Sequence, residues 1–199
     1  MAKPDLNELG TTGLRRAGGF VTEEFLTQLR GRRGLLVYRE MADNDPVIGS
    51  ILYAIEKVVL RLDWRVDPFD DSDQAKELAE FIDGCLEDMS DSWDQTLASI
   101  LSMLVYGFSF HEIVYKIRGG DTEDPKRKSK YSDGKIGWRK FPIRSQESLN
   151  NWILDQDGGI QGFRQMDPTG GGFREIPIDK GLLFRTTVNK NNPEGRSLL

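Results

Sequence analysis

Hydrophobic positions along this chain follow two different periods, and the change from one to the other falls at Gly107. Before it, apolar residues recur at helical spacing. Val47, Ile48, Ile51, Leu52, Ile55, Val58, Val59 and Leu62 form the longest such series, which predicts an amphipathic helix packed along one side. Asp45 precedes it as an N-cap, and Pro46 takes the first helical position, where a missing N–H costs nothing. This helix is expected to end near Arg61. A shorter helix is expected over Leu35–Ala42, stopping at Asp43-Asn44. Ser72 or Asp73 opens another, with Leu78, Ala79, Phe81, Ile82 and Leu86 on one side. Asp91 or Ser92 caps the next, with Trp93, Leu97, Ile100, Leu101, Leu104 and Val105 turned inward. Between these helices, Leu62, Trp64 and Val66 alternate with Asp63, Arg65 and Asp67, the pattern of a strand ending at Pro68.

From Phe108 the period is two. Phe108, Phe110, Ile113, Tyr115 and Ile117 predict a strand with one slip, read as a bulge. Gly119 to Asp133 is polar and basic, a long loop at a hairpin tip. Further strands are expected at Ile136–Ile143, Trp152–Leu154, Ile160–Met166, Phe173–Ile176 and Leu182–Thr187. Turns at Asp157-Gly158-Gly159 and Thr169-Gly170-Gly171-Gly172 make them antiparallel neighbours. Asn192 then caps a helix starting at Pro193 and Glu194, which should continue past Leu199. At the other end, glycines and threonines punctuate a flexible arm. Within it a short helix is expected from Thr22 to Arg30, and Gly31 and Gly34 bracket a loop. The fold class is α+β: N-terminal amphipathic helices followed by an antiparallel β-meander. Three parts are expected: an arm over 1–34, a domain over 35–192, and the start of a helix over 193–199, with the polypeptide continuing beyond.

With 199 residues, 38% of them hydrophobic, the chain can bury one core. Cys85 is its single cysteine, so no intrachain disulfide forms, and a reducing interior suits it. Met1–Gly10 has no apolar stretch of signal-peptide type, and no run approaches the ~18 apolar residues of a membrane helix; no membrane partner is expected. The net charge of −5 argues against a chain that clamps nucleic acid over its whole surface. The charge is uneven, however. From Glu40 to Asp94 sixteen acidic residues face four basic ones, Lys57, Arg61, Arg65 and Lys76. A basic block follows at Lys126, Arg127, Lys128 and Lys130, and the arm carries Arg15, Arg16, Arg30, Arg32 and Arg33. The plain reading of each cluster is a solvated face.

Catalytic chemistry finds no foothold. His111 is the single histidine, so any Ser-His-Asp or Cys-His pair must use it. His111-Glu112 resembles the start of a zinc-peptidase motif, but Tyr115 stands where the second histidine belongs. His111 lies mid-strand, which favours a structural role. Cys85 has acidic neighbours, Glu87 and Asp88, which suppress a thiolate; it reads as a small core residue. Asp155-Gln156-Asp157-Gly158 begins like a calcium loop, yet the distal ligands are missing and an Asp-Gly turn explains the same residues. Asp67, Asp70, Asp71 and Asp73 could ligate a hard cation, or simply flank a helix N-terminus. Thr169–Phe173 lacks the Lys-Ser/Thr of a phosphate loop. No catalytic residue, metal or cofactor is assigned, and the chain is not expected to be an enzyme.

Four segments carry a resemblance. Met41 to Leu52, with Asp45-Pro46-Val47-Ile48, resembles the opening helix of phage portal proteins. Trp64-Arg65-Val66-Asp67-Pro68 is similar to the W-x-V-x-P strand that follows it there. Leu104-Val105-Tyr106-Gly107-Phe108-Ser109 through Glu112-Ile113-Val114-Tyr115 is similar to their Y-G-F-S-x-x-E-I-x-Y segment. Phe184-Arg185, then Asn192-Pro193-Glu194-Gly195-Arg196-Ser197-Leu198-Leu199, resembles the opening of their next long helix. In this order the segments cover most of residues 35–199, and they resemble the Mu-like portal branch most.

The resemblance implies a subunit of a homo-oligomeric ring, usually of twelve copies, at one capsid vertex of the virion. Such rings conduct double-stranded DNA in packaging and ejection. They dock the terminase, the head–tail adaptor and the major capsid protein, after assembly in the host cytoplasm. The matching region would be the outward wing, with the stem beginning at Pro193. A net negative charge fits a conduit, since phosphates are held in proportion to the cations that neutralise them. On this reading Lys126, Arg127, Lys128 and Lys130, with Tyr131 beside them, are a candidate contact with DNA or capsid. Arg15 and Arg16 would lie along a neighbour or the capsid, and Trp138, Phe141 and Trp152 could join subunits. The competing readings are another head-completion or adaptor protein, and a metal-dependent nucleic-acid enzyme.

Overall fold

The computed structural model describes residues 10–167 and 169–199. Residues 1–9 of the expected arm lie outside the described residues. Two residues of the arm, Leu14 and Val21, belong to the core. Gly18 and Gly19, both with positive φ (57° and 83°), turn a hairpin of β1 (Arg16–Ala17) and β2 (Phe20–Val21). Leu14, just before it, and Val21 are buried, and its turn accepts the Trp152 N–H at Gly19 O, 2.9 Å. Of the helix expected over Thr22–Arg30, only a single 3-10 turn at Thr27–Leu29 forms. The expected loop around Gly31 and Gly34 is instead the first turn of α1 (Gly31–Asn44). Gly34 fits there because any Cβ would lie 2.0 Å from Leu29 O.

The next helices start where their caps predict. The Asp45 carboxylate accepts from the N–H groups of Val47 (2.8 Å) and Ile48 (3.1 Å), opening α2 (Pro46–Val59). Ser72 Oγ accepts from Ala75 N–H to open α3 (Asp73–Glu87). Ser92 and Gln95 form a reciprocal capping box on α4 (Trp93–Ile100). The short α5 (Met103–Tyr106) stops at Gly107, φ 89°. Between α2 and α3 the expected strand does not form. Residues 63–68 have no regular secondary structure, and no strand pairs with them among the described residues.

The β half contains β3 (Phe108–Glu112), β4 (Val114–Ile117), β5 (Ile136–Lys140), β6 (Ile143–Arg144), β7 (Leu149–Leu154), β8 (Ile160–Met166), β9 (Phe173–Pro177) and β10 (Gly181–Arg185). All pairs are antiparallel. A simple meander exists only in β7-β8-β9; β3 is central in β10-β3-β6, and β4-β5 stands as a separate ribbon. The slip expected near Ile113 is a change of sheet, with Ile113 N–H donating to Lys180 O at 2.8 Å, followed by a register shift between Val114 and Tyr115 in the β4–β5 pair. The expected strand Ile136–Ile143 breaks at Phe141-Pro142 for the same reason. Phe110 stacks on Phe163 (centroids 4.7 Å apart), and Trp152 meets Phe108 and Phe163 edge-on at 5.3 and 5.4 Å. Leu14, Val21 and Ile176 complete this core. Trp152 and Phe141 are thus interior residues and not subunit contacts; Trp138 is half-buried beside Phe141.

The helix expected from Pro193 is absent. Asn192 Oδ1 does accept from Glu194 N–H at 2.9 Å, as a cap would, but the turn reverses at Gly195 (φ 57°). The tail then runs back along α5, with Leu198 N–H donating to Leu104 O at 3.0 Å. Gly107 and Gly195 lie face to face: a Cβ on Gly195 would sit 2.3 Å from Gly107 O, and one on Gly107 2.4 Å from Glu194 O. Thr186 stitches the same point, donating its N–H to Gly107 O and receiving Arg196 N–H on Oγ1. Two of the motif segments, 104–115 and 192–199, thus meet at one spot beside Thr186, and the glycine of each sits at the close approach.

Candidate functional site

The β4–β5 ribbon carries the loop that holds the basic block. Asp124 and Pro125 begin a tight turn, in the positions these residues favour. The N–H groups of Arg127 (2.9 Å) and Lys128 (2.8 Å) donate to Asp124 O, and that of Lys126 to Asp124 Oδ1 (2.9 Å). Backbone bonds from Ile117 N–H to Lys126 O and from Gly119 N–H to Arg127 O fasten the turn to the strand.

A buried acid anchors the far side. Asp88, at the end of α3, accepts from Ser129 Oγ (2.6 Å) and Lys130 N–H (2.8 Å), and its Oδ2 lies 2.9 Å from Lys116 Nζ. Both side chains of this ion pair are about 95% covered. Burial pushes the Asp88 carboxyl up, but the hydrogen bonds from Lys130, Ser129 and Lys116 outweigh it and hold the group below its ordinary pKa. Arg118 packs between Tyr131, with its guanidinium carbon 3.7 Å from the ring centroid, and Phe81 at 5.0 Å, and pairs with Asp133 at 3.2 Å. Tyr131 is therefore part of the anchor and is not free to stack on a base.

What remains exposed is a row of cations on a rigid turn. Lys126, Arg127, Lys128 and Lys130 are all exposed, and no ion pair to them occurs among the described residues. Lys130 Nζ is partly engaged by Glu87 O at 2.8 Å. The turn can therefore hold an extended polyanion through point charges, with no shaped pocket and no base-reading geometry.

The arm residues separate. Arg16 is committed within the chain, its guanidinium donating to Asp155 O and Gln156 O at 2.7 Å each. Arg15 is held by its backbone, its N–H donating to Glu23 Oε1 at 2.7 Å and its carbonyl accepting from Thr22 N–H at 2.9 Å, and the residue is exposed.

Groups that could have carried chemistry are engaged elsewhere. His111 is fully buried with Nδ1 2.9 Å from Phe141 O, and burial lowers its pKa. Cys85 is buried at the α3–β5 contact. Asp155 closes its own turn, accepting from the N–H groups of Asp157 and Gly159 and from Gln161. Asp70 caps Ser72, and Asp67 pairs with Arg65. No cluster of metal-ligating residues occurs among the described residues.

One feature was not legible in the sequence. A cavity of about 690 Å³ opens between the hairpin, α1 and the C-terminal turn, lined among others by Phe20, Glu23, Arg30, Tyr38, Tyr106 and Glu194. Burial pushes the Glu194 carboxyl up to about 7, against the opposing hydrogen bond from Trp152 Nε1.

The described helices include none long and apolar enough to cross a membrane. A comparison with curated protein sequences finds no match. Among solved structures, a chain from the "Neck of empty GTA particle computed with C6 symmetry" is similar in fold, with a TM-score of 0.53 and 11% identity. That similarity covers 80% of this chain and 38% of the other, so the present chain spans well under half of its neighbour. At this identity the likeness shows the fold alone, an α+β module. More particularly, residues 35–199 match the model described as portal protein of Mu bacteriophage, and the chain belongs to that family.

Proposed function

We propose that the chain is the wing portion of a portal ring subunit, a non-enzymatic structural protein of the virion. In this reading about a dozen copies close head to tail at one capsid vertex, and double-stranded DNA passes through them in packaging and ejection. The terminase, the head–tail adaptor and the major capsid protein dock on the same ring. The observation that carries the reading is the family match over residues 35–199. The phage-like neck neighbour supports the fold side of it.

The basic turn gives the reading a site. Three or four cations on a braced turn, in a chain of net charge −5, provide a local foothold for phosphate or for an acidic capsid face without making the whole subunit adhere to DNA. Arg15 is a second, smaller foothold. Because DNA affinity follows the number of phosphates neutralised, so few contacts give a weak and salt-sensitive hold, which suits a conduit.

The test is location. Antibodies raised against this chain and applied to intact particles should label one vertex per head. Label spread over the whole shell, or confined to the tail, would contradict the proposal.

A further inference from the structure

Glu194 carries a carboxyl into the wall of the cavity with little to balance it. The residue is half-buried, and Pro193 before it is fully buried. Its side chain turns inward to Trp152, which is only 1% exposed. The indole Nε1–H donates to Glu194 Oε1 at 3.3 Å, and no other hydrogen bond to this carboxyl occurs among the described residues. Behind Trp152 stand the rings of Phe108 and Phe163. A carboxylate there lacks the partners it has in water, so the site favours the neutral acid.

The cations around it are engaged elsewhere or face water. Lys190 Nζ sits 3.1 Å from Glu23, which also accepts from Arg15 N–H. Glu24 accepts from Leu26 N–H. Arg30, just ahead of α1, donates to Glu24 O and Phe25 O at 2.6 and 3.4 Å. Arg185 of β10 donates to Asn191 Oδ1 and Asn192 O at 3.2 and 3.1 Å. Arg32 of α1 and Arg196 of the tail are exposed. Tyr38 of α1 and Tyr106 of α5 are kept as neutral phenols by burial, which raises their pKa. No ion pair to Glu194 occurs among the described residues.

The turn that holds Glu194 is also strained. Lys190 and Asn191 have positive φ, 51° and 54°, and no other non-glycine residue among the described ones does. Side chains with a Cβ rarely adopt that region. Beyond Gly195 the tail is tied by a few bonds only. Arg196 N–H reaches Thr186 Oγ1 and Leu198 N–H reaches Leu104 O, both at 3.0 Å, and Ser197 Oγ–H reaches Val105 O. None of these belongs to a helix or a sheet ladder, so the segment can open without unpairing a strand.

We propose that residues 189–198 form a latch over the cavity, held shut while Glu194 carries its proton and loosened when the proton leaves. Charging a carboxyl beside Trp152 weakens the closed form, and opening relieves the backbone at Lys190 and Asn191. Linkage sets the direction. The closed form, with Glu194 at about 7 against an ordinary 4.5, keeps a proton that the open form releases. Closure is therefore favoured fully below the ordinary value and weakens as pH rises through the closed-form value. Opening frees the backbone of Gly107 and bares the cavity of about 690 Å³. The latch rests on the fold and is independent of the ring reading.

The test is amide hydrogen exchange on the full natural polypeptide, read by mass spectrometry and corrected for the intrinsic pH dependence of exchange. Opening of 194–198 should rise about tenfold or more between about pH 5 and about pH 7 and level off above about pH 8. Exchange in β7–β8–β9 should stay constant over the same range. Glu194→Gln keeps a neutral acceptor for the Trp152 indole and should hold 194–198 at the acid rate throughout. A flat profile over 194–198 in the natural polypeptide would overturn the latch, whether or not the variant folds. A rise shared equally by β7–β8–β9 would overturn it too, since that is global unfolding. A rise in Glu194→Gln as steep as in the natural chain would do the same, because another group would then control the opening.

Discussion

Replacing Asp88 with alanine removes the anchor of the basic turn, and its cost follows from the structure. Asp88 and Lys116 form an ion pair whose side chains are 4% and 5% exposed, at 2.9 Å. Breaking such a buried pair from one side costs about 3–5 kcal/mol, because the remaining charge stays buried without a partner. For a chain of this size about 1 kcal/mol moves Tm by about 2–4 °C, so Asp88→Ala should lower Tm by roughly 6–20 °C. Ser129 Oγ–H and Lys130 N–H lose their acceptor as well. The double variant Asp88→Leu with Lys116→Met removes both charges and should recover part of the loss. It cannot recover all, because those two donors remain unpaired at about 1–3 kcal/mol each. Urea unfolding gives the energies, and amide exchange over 126–131 shows whether the turn loosens. A loss below about 1 kcal/mol for Asp88→Ala would refute the claim that this pair holds the turn. Since the Asp88 pKa is depressed in the fold, the stability it supplies is present above its ordinary pKa and is lost as pH falls from there through the lower folded pKa.

Three further outcomes are expected. Alanine at Lys126, Arg127 and Lys128 together should leave Tm unchanged and make the plot of log affinity for duplex DNA against log salt shallower by about 3, one unit per cation; an unchanged slope places the turn away from phosphate. Glu194 has a folded pKa of about 7 against an ordinary 4.5, so the folded state keeps a proton the unfolded state releases; stability should fall by up to about 3 kcal/mol as pH rises from 4.5 to 7, and Glu194→Gln should flatten that fall in urea titrations. Gly107→Ala and Gly195→Ala each put a Cβ within about 2.4 Å of backbone oxygen at positive φ, so each should cost more than about 2 kcal/mol; a Tm within 2 °C of the natural chain would contradict the close approach seen there.

The parts of the fold legible in the sequence are those set by neighbouring residues. Asp45-Pro46, Ser72 and Ser92 open helices where their side chains reach the first free N–H groups, a purely local effect. The Asp155 and Asp167 turns are local in the same sense. Sequence reasoning failed where a distant partner decides. The Arg16–Val21 hairpin forms because Leu14 and Val21 complete a core built by Phe110, Trp152 and Phe163, more than 85 positions away. Gly31 turns the chain into α1 with a positive φ of 56°, and Gly34 passes Leu29 too closely for a side chain. The Asn192 cap is legible, but the reversal after it depends on Gly107. Leu62–Val66 has the alternation of a strand, but no strand pairs with it among the described residues and it takes no regular structure. For the site, the cations themselves were legible; that Arg16 is spent on the Asp155–Gln156 turn and Tyr131 on Arg118 was not, because both partners come from afar. Glu194 gave no signal, since one glutamate among 32 acidic residues stands out only when the cavity around it is built.

The central claim, that this chain builds a DNA-conducting ring, is tested most directly by imaging the purified full-length polypeptide by electron microscopy. The account predicts closed rings with a central hole and one rotational symmetry, most often twelvefold. A monodisperse monomer that cleaves DNA in the presence of magnesium would contradict it.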